Sequence, residues 1–385
     1  MQEASHHGQT VREYRESRAG ITQEELARRI GRSRRTVVAL EQSARIADVK
    51  LRRTLVWALD IPPHLLGIGE LSLPRTFLTP VEVPVDVEAK NLSRVVLETI
   101  TENLRMRYDL YYLSSVAADQ GLNKHIGDLH KLLKKSSSRD RGALLILLSQ
   151  NYQLKGLIAR DQLDYEEAER CLKQASLLAQ EAECAELDAL AMGRRAVLYV
   201  WCNELDVASQ LYETAREISR RAAPALRAYL ATGHAEVQGM LQDQSCLDSL
   251  TDARNLFRRV DPGDDSLLLL RSTRCSERSI TDGWFQCHVL LGKPEVALDY
   301  YDNLERRLDV TMARMRARLY VQYAKALYVS RDMSSCFYAT EGLRLALSAG
   351  SRYNIQQVKD LAAELVVKFP KDDRVKDLLR ELKGL

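Results

Sequence analysis

The sequence predicts an all-α protein: a small N-terminal domain of five helices (residues 1–68), a linker (69–88) and a long α-solenoid of helical repeats (89–385). Three observations predict it. Glycine and proline are scarce, 18 and 9 of 385 residues, while Leu, Ala, Glu and Arg abound, which favours helix. Apolar residues recur at helical spacing through the first sixty residues. Farther along, small residues recur in one fixed pattern, as in stacked helix pairs.

Composition removes several classes of function. At 45% hydrophobic and 28% charged, the chain reads as soluble and globular. No apolar run approaches the roughly 20 residues that span a bilayer, so no membrane partner is expected. The opening "MQEASHHGQT" lacks the apolar core of a signal peptide and reads, with His6 and His7, as a loose tail. The seven cysteines are scattered, odd in number and never in a CxxC pair. Reduced thiols in a cytoplasmic protein are the expectation, without a disulfide frame or zinc site. His125 and His130 lie off the i, i+4 spacing, and the adjacent Cys287 and His288 point apart on a helix. GxxxxGK[ST], GxSxG and GxGxxG are all absent. The sequence therefore predicts no metal, no cofactor and no enzyme.

Charge is unevenly placed. The first sixty residues hold 12 of the 56 Lys and Arg but 8 of the 53 Asp and Glu. That segment carries a net +4, and the remainder a net −1. Eleven of those twelve basic residues are arginine, whose planar fork matches phosphate and guanine edges.

Helix signals place those arginines. Thr22 and Glu25 have capping-box spacing at the start of a helix, with Leu26, Ala27 and Ile30 on one face. Gly31 suits a left-handed stop. Ser33 can cap a second helix that buries Val37 and Leu40. Two short helices, a tight turn and a small residue, Ala27, at their crossing make a helix-turn-helix. "DVKLRRTLVWALDI" gives a further helix burying Val49, Leu51, Leu55 and Leu59, and "PPHLLGI" a short closing one begun by proline.

On these residues the segment 10–68 resembles the Cro/CI-type (XRE) helix-turn-helix domain. The matches are "GITQEELARRIG", "SRRTVVALE" and "LVWALDIPPHLLGI", with Glu41 closing the recognition helix as in that family. Departures are visible too. "EYRESRAG" is one residue longer than usual, Ser43 stands where the family has glycine, and "SARIADV" lacks the family's proline. The resemblance implies double-stranded DNA as partner, with the second helix in the major groove. Ser33, Arg34 and Arg35 would then lead toward base edges, with Thr36 beside them and Val38 and Ala39 one turn on. Arg34 and Arg35 suit bidentate contact to guanine. Gln23 would meet phosphate from the start of the preceding helix, and Arg28, Arg29 and Arg32 would either join it or stay solvated.

"GELSLPRTFLTPVEVPVDVEAK" breaks the helical register with Pro74, Pro80 and Pro84 and reads as an extended linker. Beyond it, Gly156, Ala168, Leu172 and Ala175 share their offsets with Ala196, Ala208, Tyr212 and Ala215. Weaker copies fall at Cys246 with Ala253, Ala297 with Tyr301, and Cys336 with Leu343. "RYDLYYL", at 107–113, reads as helix interface or core.

The pattern of small, large and small apolar residues where paired helices touch resembles the tetratricopeptide repeat, though with a longer unit. An XRE domain followed by such repeats resembles the RRNPP peptide-sensing regulators. The resemblance implies a homodimer on an inverted-repeat operator, with a short peptide held inside the superhelix. The alternative is a DNA-tethered scaffold whose repeats hold a protein partner. Projecting the first helix of each pair onto the concave wall gives the ligand candidates: Gln153 and Arg160, Val197 and Trp201, Gln238, Asp282 and Gln286, and Lys325 and Tyr328. Trp284 is expected in the core.

Overall fold

The computed structural model describes residues 6–18, 20–30, 32–59, 61, 66, 94–260, 276–306, 312–332 and 334–384. All regular structure among these residues is helical, with no strand among them. The chain divides into two compact units, Met1–Phe77 and Leu78–Leu385. Gly31, the 69–88 linker and all of the closing helix except Leu66 lie outside the described residues.

In the first unit, α1 (His7–Glu13) runs into a π-helical turn, Tyr14–Arg18. α2 (Gln23–Arg29), α3 (Arg34–Gln42) and α4 (Val49–Leu59) follow. Leu26, Ala27, Val37, Leu40, Leu55 and Leu59 share one core, as helical spacing predicts. The π-turn falls within "EYRESRAG", where a wider turn can accommodate one extra residue.

Two local expectations are corrected. His6 and His7 are not in a loose tail. His6 caps α1, its Nδ1 accepting from the Gln9 N–H at 3.2 Å. His7 is buried, and its Nδ1 accepts from the Ile46 N–H at 3.2 Å. Gly8 permits this docking. A Cβ there would stand 2.5–2.7 Å from the carbonyl oxygens of Leu40, Glu41 and Ser43. The capping box is also only half formed. Thr22 accepts from the Glu25 N–H at 3.1 Å, but the Glu25 carboxylate turns to Arg28 at 3.0 Å and Arg29 at 3.7 Å. Ser43 needs no glycine, because its φ of −80° is open to any residue.

The second unit begins with α5 (Arg94–Leu113), α6 (Ser115–Asp119) and α7 (Leu122–Lys135). Antiparallel helix pairs follow. They are α8 (Ser138–Asp161) with α9 (Tyr165–Glu181), α10 (Ala185–Trp201) with α11 (Leu205–Ile218), and α12 (Pro224–Met240) with α13 (Cys246–Phe257). Then come α14 (Glu277–Leu290) with α15 (Pro294–Arg306), α16 (Ala313–Val329) with α17 (Ser334–Ala349), and α18 (Arg352–Lys368) with α19 (Asp373–Lys383). The recurring small residues are buried where the partners meet. At Gly156, a Cβ would come within 2.7 Å of the Leu172 side chain.

One turn recurs between partners. Leu163, Asn203, Gln242, Gly292 and Arg331 all adopt φ between 58° and 69°. The next residue's N–H returns to the carbonyl five positions back, as from Asp164 to Ala159 and from Glu204 to Tyr199. Such a turn satisfies the last carbonyls of the first helix and reverses the chain tightly. These positions lie 40, 39, 50 and 39 residues apart, and the turn recurs although the residue at it changes.

The unit closes on itself. The Arg314 guanidinium on α16 donates to Asp161 at the end of α8 at 2.9 Å, and the Ser351 hydroxyl donates to the same oxygen at 2.8 Å. Gln162 reaches the Gly350 carbonyl at 2.9 Å. The first and last helix pairs are thereby joined around a central cavity.

Candidate DNA interface and repeat cavity

In the first unit, α3 presents its N-terminal end to solvent. Ser33 caps it, accepting from the Thr36 N–H at 3.2 Å. Its hydroxyl also hydrogen-bonds that of Thr36 at 2.9 Å. Arg32, Arg34 and Arg35 are exposed, and among the described residues none makes a side-chain hydrogen bond or ion pair. Ala39 is exposed on the same helix, and Thr36 and Val38 are half-buried. Arg28 is exposed but shared with Glu25. Uncommitted guanidiniums on a rigid helix end are available to an anionic duplex at little reorganisation cost.

Gln23 lies differently from the sequence projection. Its side-chain N–H donates to Glu41 at 2.8 Å, so the amide faces inward. Glu41 also receives two bonds from Arg15, Nε to Oε1 at 2.5 Å and Nη2 to Oε2 at 3.1 Å. Arg15 further donates to the Ile21 carbonyl at 3.0 Å. One buried carboxylate thus ties the π-turn, the start of α2 and the end of α3. Sequence reading marked Glu41 but missed Arg15, which lies inside the irregular turn.

The second unit encloses a cavity of about 250 Å³, walled mainly by the first helix of each pair. Of the residues projected onto the inner wall, Arg160, Val197, Trp201, Asp282 and Gln286 line it, and Gln153, Gln238, Lys325 and Tyr328 do not. Gln153 is fully buried. It donates to the Leu187 carbonyl at 3.3 Å and accepts from Arg194 at 2.8 Å. Both partners lie on α10, so this side of α8 is packed against the next helix pair, and α5 is tied in behind Arg194. Tyr108 donates to the Gln150 carbonyl and accepts from Arg194, each at 2.9 Å. Gln238 is held by Ser245 and Ser249 of α13, at 2.9 and 2.7 Å. Lys325 donates to Gln357 at 2.6 Å, and burial lowers its ammonium pKa. The Tyr328 ring lies under the Lys368 ammonium at 3.9 Å. Helical projection places a residue on a face but cannot say which neighbour covers that face.

The cavity is cationic and aromatic. Arg160, Arg194, Arg278, Arg314 and Arg318 line it against two carboxylates, Glu236 and Asp282. Arg318 approaches Asp282 at 3.4 Å. Burial raises the Glu236 carboxyl pKa, with Arg318 opposing the rise and Asp282 adding to it. Trp201 stacks on Tyr353, with centroids 3.4 Å apart and planes 9° from parallel. The Arg160 guanidinium lies over the same indole at 4.3 Å. Trp284 stands outside the lining, half-buried, with Arg254 over its ring at 5.1 Å.

Among the described residues no group of His, Cys, Asp and Glu has the makings of a metal site, and no helix is long and apolar enough to cross a membrane. Residues 11–63 match a helix-turn-helix family model of XRE type, which supports a DNA-binding regulator. No curated protein sequence matches the chain.

Proposed function

We propose that the chain is a sequence-specific transcriptional regulator in which α3 reads the major groove and the repeat unit senses a ligand, foremost a short peptide. The observation that carries this reading is the uncommitted pair Arg34 and Arg35 at the exposed start of α3, within the segment that matches the helix-turn-helix family. Val38 and Ala39 lie one turn on, where a thymine methyl would pack. Arg32 and Arg28 supply phosphate contacts, and Gln23 acts chiefly as a brace for Glu41.

One such domain buries little surface on DNA, so two copies on an inverted repeat are the expected assembly. The repeat unit, with its long helical surface, supplies the dimer contact. A concave, partly open cavity of about 250 Å³ supports a small ligand over the alternative, a DNA-tethered scaffold gripping a folded partner.

Selection of duplexes bound by the full chain from a random pool tests the reading. It predicts a two-fold-related pair of half-sites centred about 10–11 base pairs, or a multiple of that, apart. Recovery of unenriched sequence would reject it.

A further inference from the structure

We propose that the repeat cavity takes a ligand bearing an anionic group with two acceptor oxygens, a carboxylate or phosphate, which docks on the guanidinium of Arg160. This rests on the ligand-sensing reading of the same cavity and adds the ligand's chemistry. The key observation is Arg160 itself. Its side chain lines the cavity and is only 8% exposed. Its Nε is buried without an acceptor, and the guanidinium makes no hydrogen bond or ion pair among the described residues. A buried guanidinium is costly unless its donors are used.

The surroundings explain why it faces the cavity unpaired. One face of the guanidinium rests on Trp201, whose ring is itself stacked on Tyr353. Stacking holds the plane while leaving the N–H donors at its edge for a coplanar acceptor, which is how arginine takes a carboxylate or phosphate. Neighbouring charge is mixed but positive on balance. Asp161 neutralises Arg314, and Glu236, whose carboxyl feels Arg160, is pushed by burial toward its neutral form. Within the lining, Asp282 is engaged by Arg318, and Glu236 is the other carboxylate. A ligand anion therefore enters a site with five arginines and two carboxylates. The volume of about 250 Å³ suits a compact group more than a long extended chain.

The test is calorimetric titration of the full chain with four probes. These are inorganic phosphate, a nucleoside monophosphate, a pool of tripeptides with free C-terminal carboxylates, and the same tripeptides amidated and without acidic side chains. Saturable binding of phosphate, the nucleotide or the free-acid pool is expected, and which of them binds identifies the source of the anion. Arg160→Gln should weaken it at least tenfold, and Arg160→Lys less. Both variants must match the wild type in helical content and melting temperature; Trp201→Phe, which removes the indole and keeps the charge, supplies a second variant if Arg160→Gln unfolds.

Amidated peptides binding as tightly as free acids, with no loss in Arg160→Gln, would overturn the anion assignment and leave ligand sensing intact. No heat from any anionic probe up to about 10 mM would overturn it as well. Anion binding at Arg160 without any change in DNA affinity would uphold the site and reject the sensing role.

Discussion

Arg15 and Glu41, 26 residues apart in sequence, form a two-pronged ion pair whose side chains are only 8% and 5% exposed. The pair fixes α3 against the turn before α2, and so sets the pose of the residues assigned to base contact. Removing Glu41 leaves Arg15 with only the exposed Glu16 carboxylate, 3.0 Å away, so the cost is at most about 3–5 kcal/mol, that of breaking a buried pair. Glu41→Ala should therefore lower the unfolding transition of the N-terminal unit while leaving that of the repeat unit in place. Calorimetry of the full chain checks this, and coincident shifts of both transitions would contradict it.

Gly8 makes the same point through the backbone. Its Cβ position is filled by three carbonyl oxygens of Leu40, Glu41 and Ser43. Gly8→Ala must push α1 off the end of α3 or distort it, since none of those atoms belongs to a flexible side chain. The predicted result is loss of protection at the Gly8 amide, which donates to Ser43 at 3.0 Å, in hydrogen exchange. Unchanged exchange there would show that the approach is looser than the geometry requires.

Much of the first unit was legible because short amphipathic helices, a cap at Ser33 and a tight turn each leave a local mark. Arg15 was not legible, since its role depends on a π-turn that no residue type signals. In the repeat unit, small residues at helix crossings betrayed the pairing because a larger side chain cannot fit there. The regular left-handed turn was hidden, since Leu163, Asn203, Gln242, Gly292 and Arg331 have nothing in common as residue types. Five of nine projected cavity residues line the cavity; Gln153 fails because α10 packs against it, which no periodicity within α8 foretells.

The closure of the repeat unit depends on Asp161, which is fully buried and accepts from both Arg314 and Ser351. Asp161→Asn removes the charge that balances Arg314 beside the Tyr111 ring. The expected cost is about 3–5 kcal/mol in denaturant unfolding of the repeat unit. An unchanged midpoint would mean that the ends are held by packing alone.

Acid should destabilise the repeat unit through His125. Burial lowers its pKa to about 4, with Arg107 adding to the shift. The unfolded chain then takes up a proton at higher pH than the folded one. The contribution is fully present above about pH 6.5 and is lost as pH falls toward 4, amounting to about 3 kcal/mol. His130, His234 and His288 are shifted the same way by burial. Denaturation midpoints between pH 7.5 and 4.5 check the slope, which His125→Gln should flatten.

The central claim is that Arg34 and Arg35 read bases and do not merely touch phosphate. The direct test is the affinity of the full chain for its selected operator and for a scrambled duplex at one salt concentration, with Arg34→Ala and Arg35→Ala beside the wild type. The wild type should prefer the operator by about 10³-fold or more. Each substitution should cost about 1–3 kcal/mol on the operator, relax one base position, and weaken scrambled DNA far less. Equal losses on both duplexes would contradict the account.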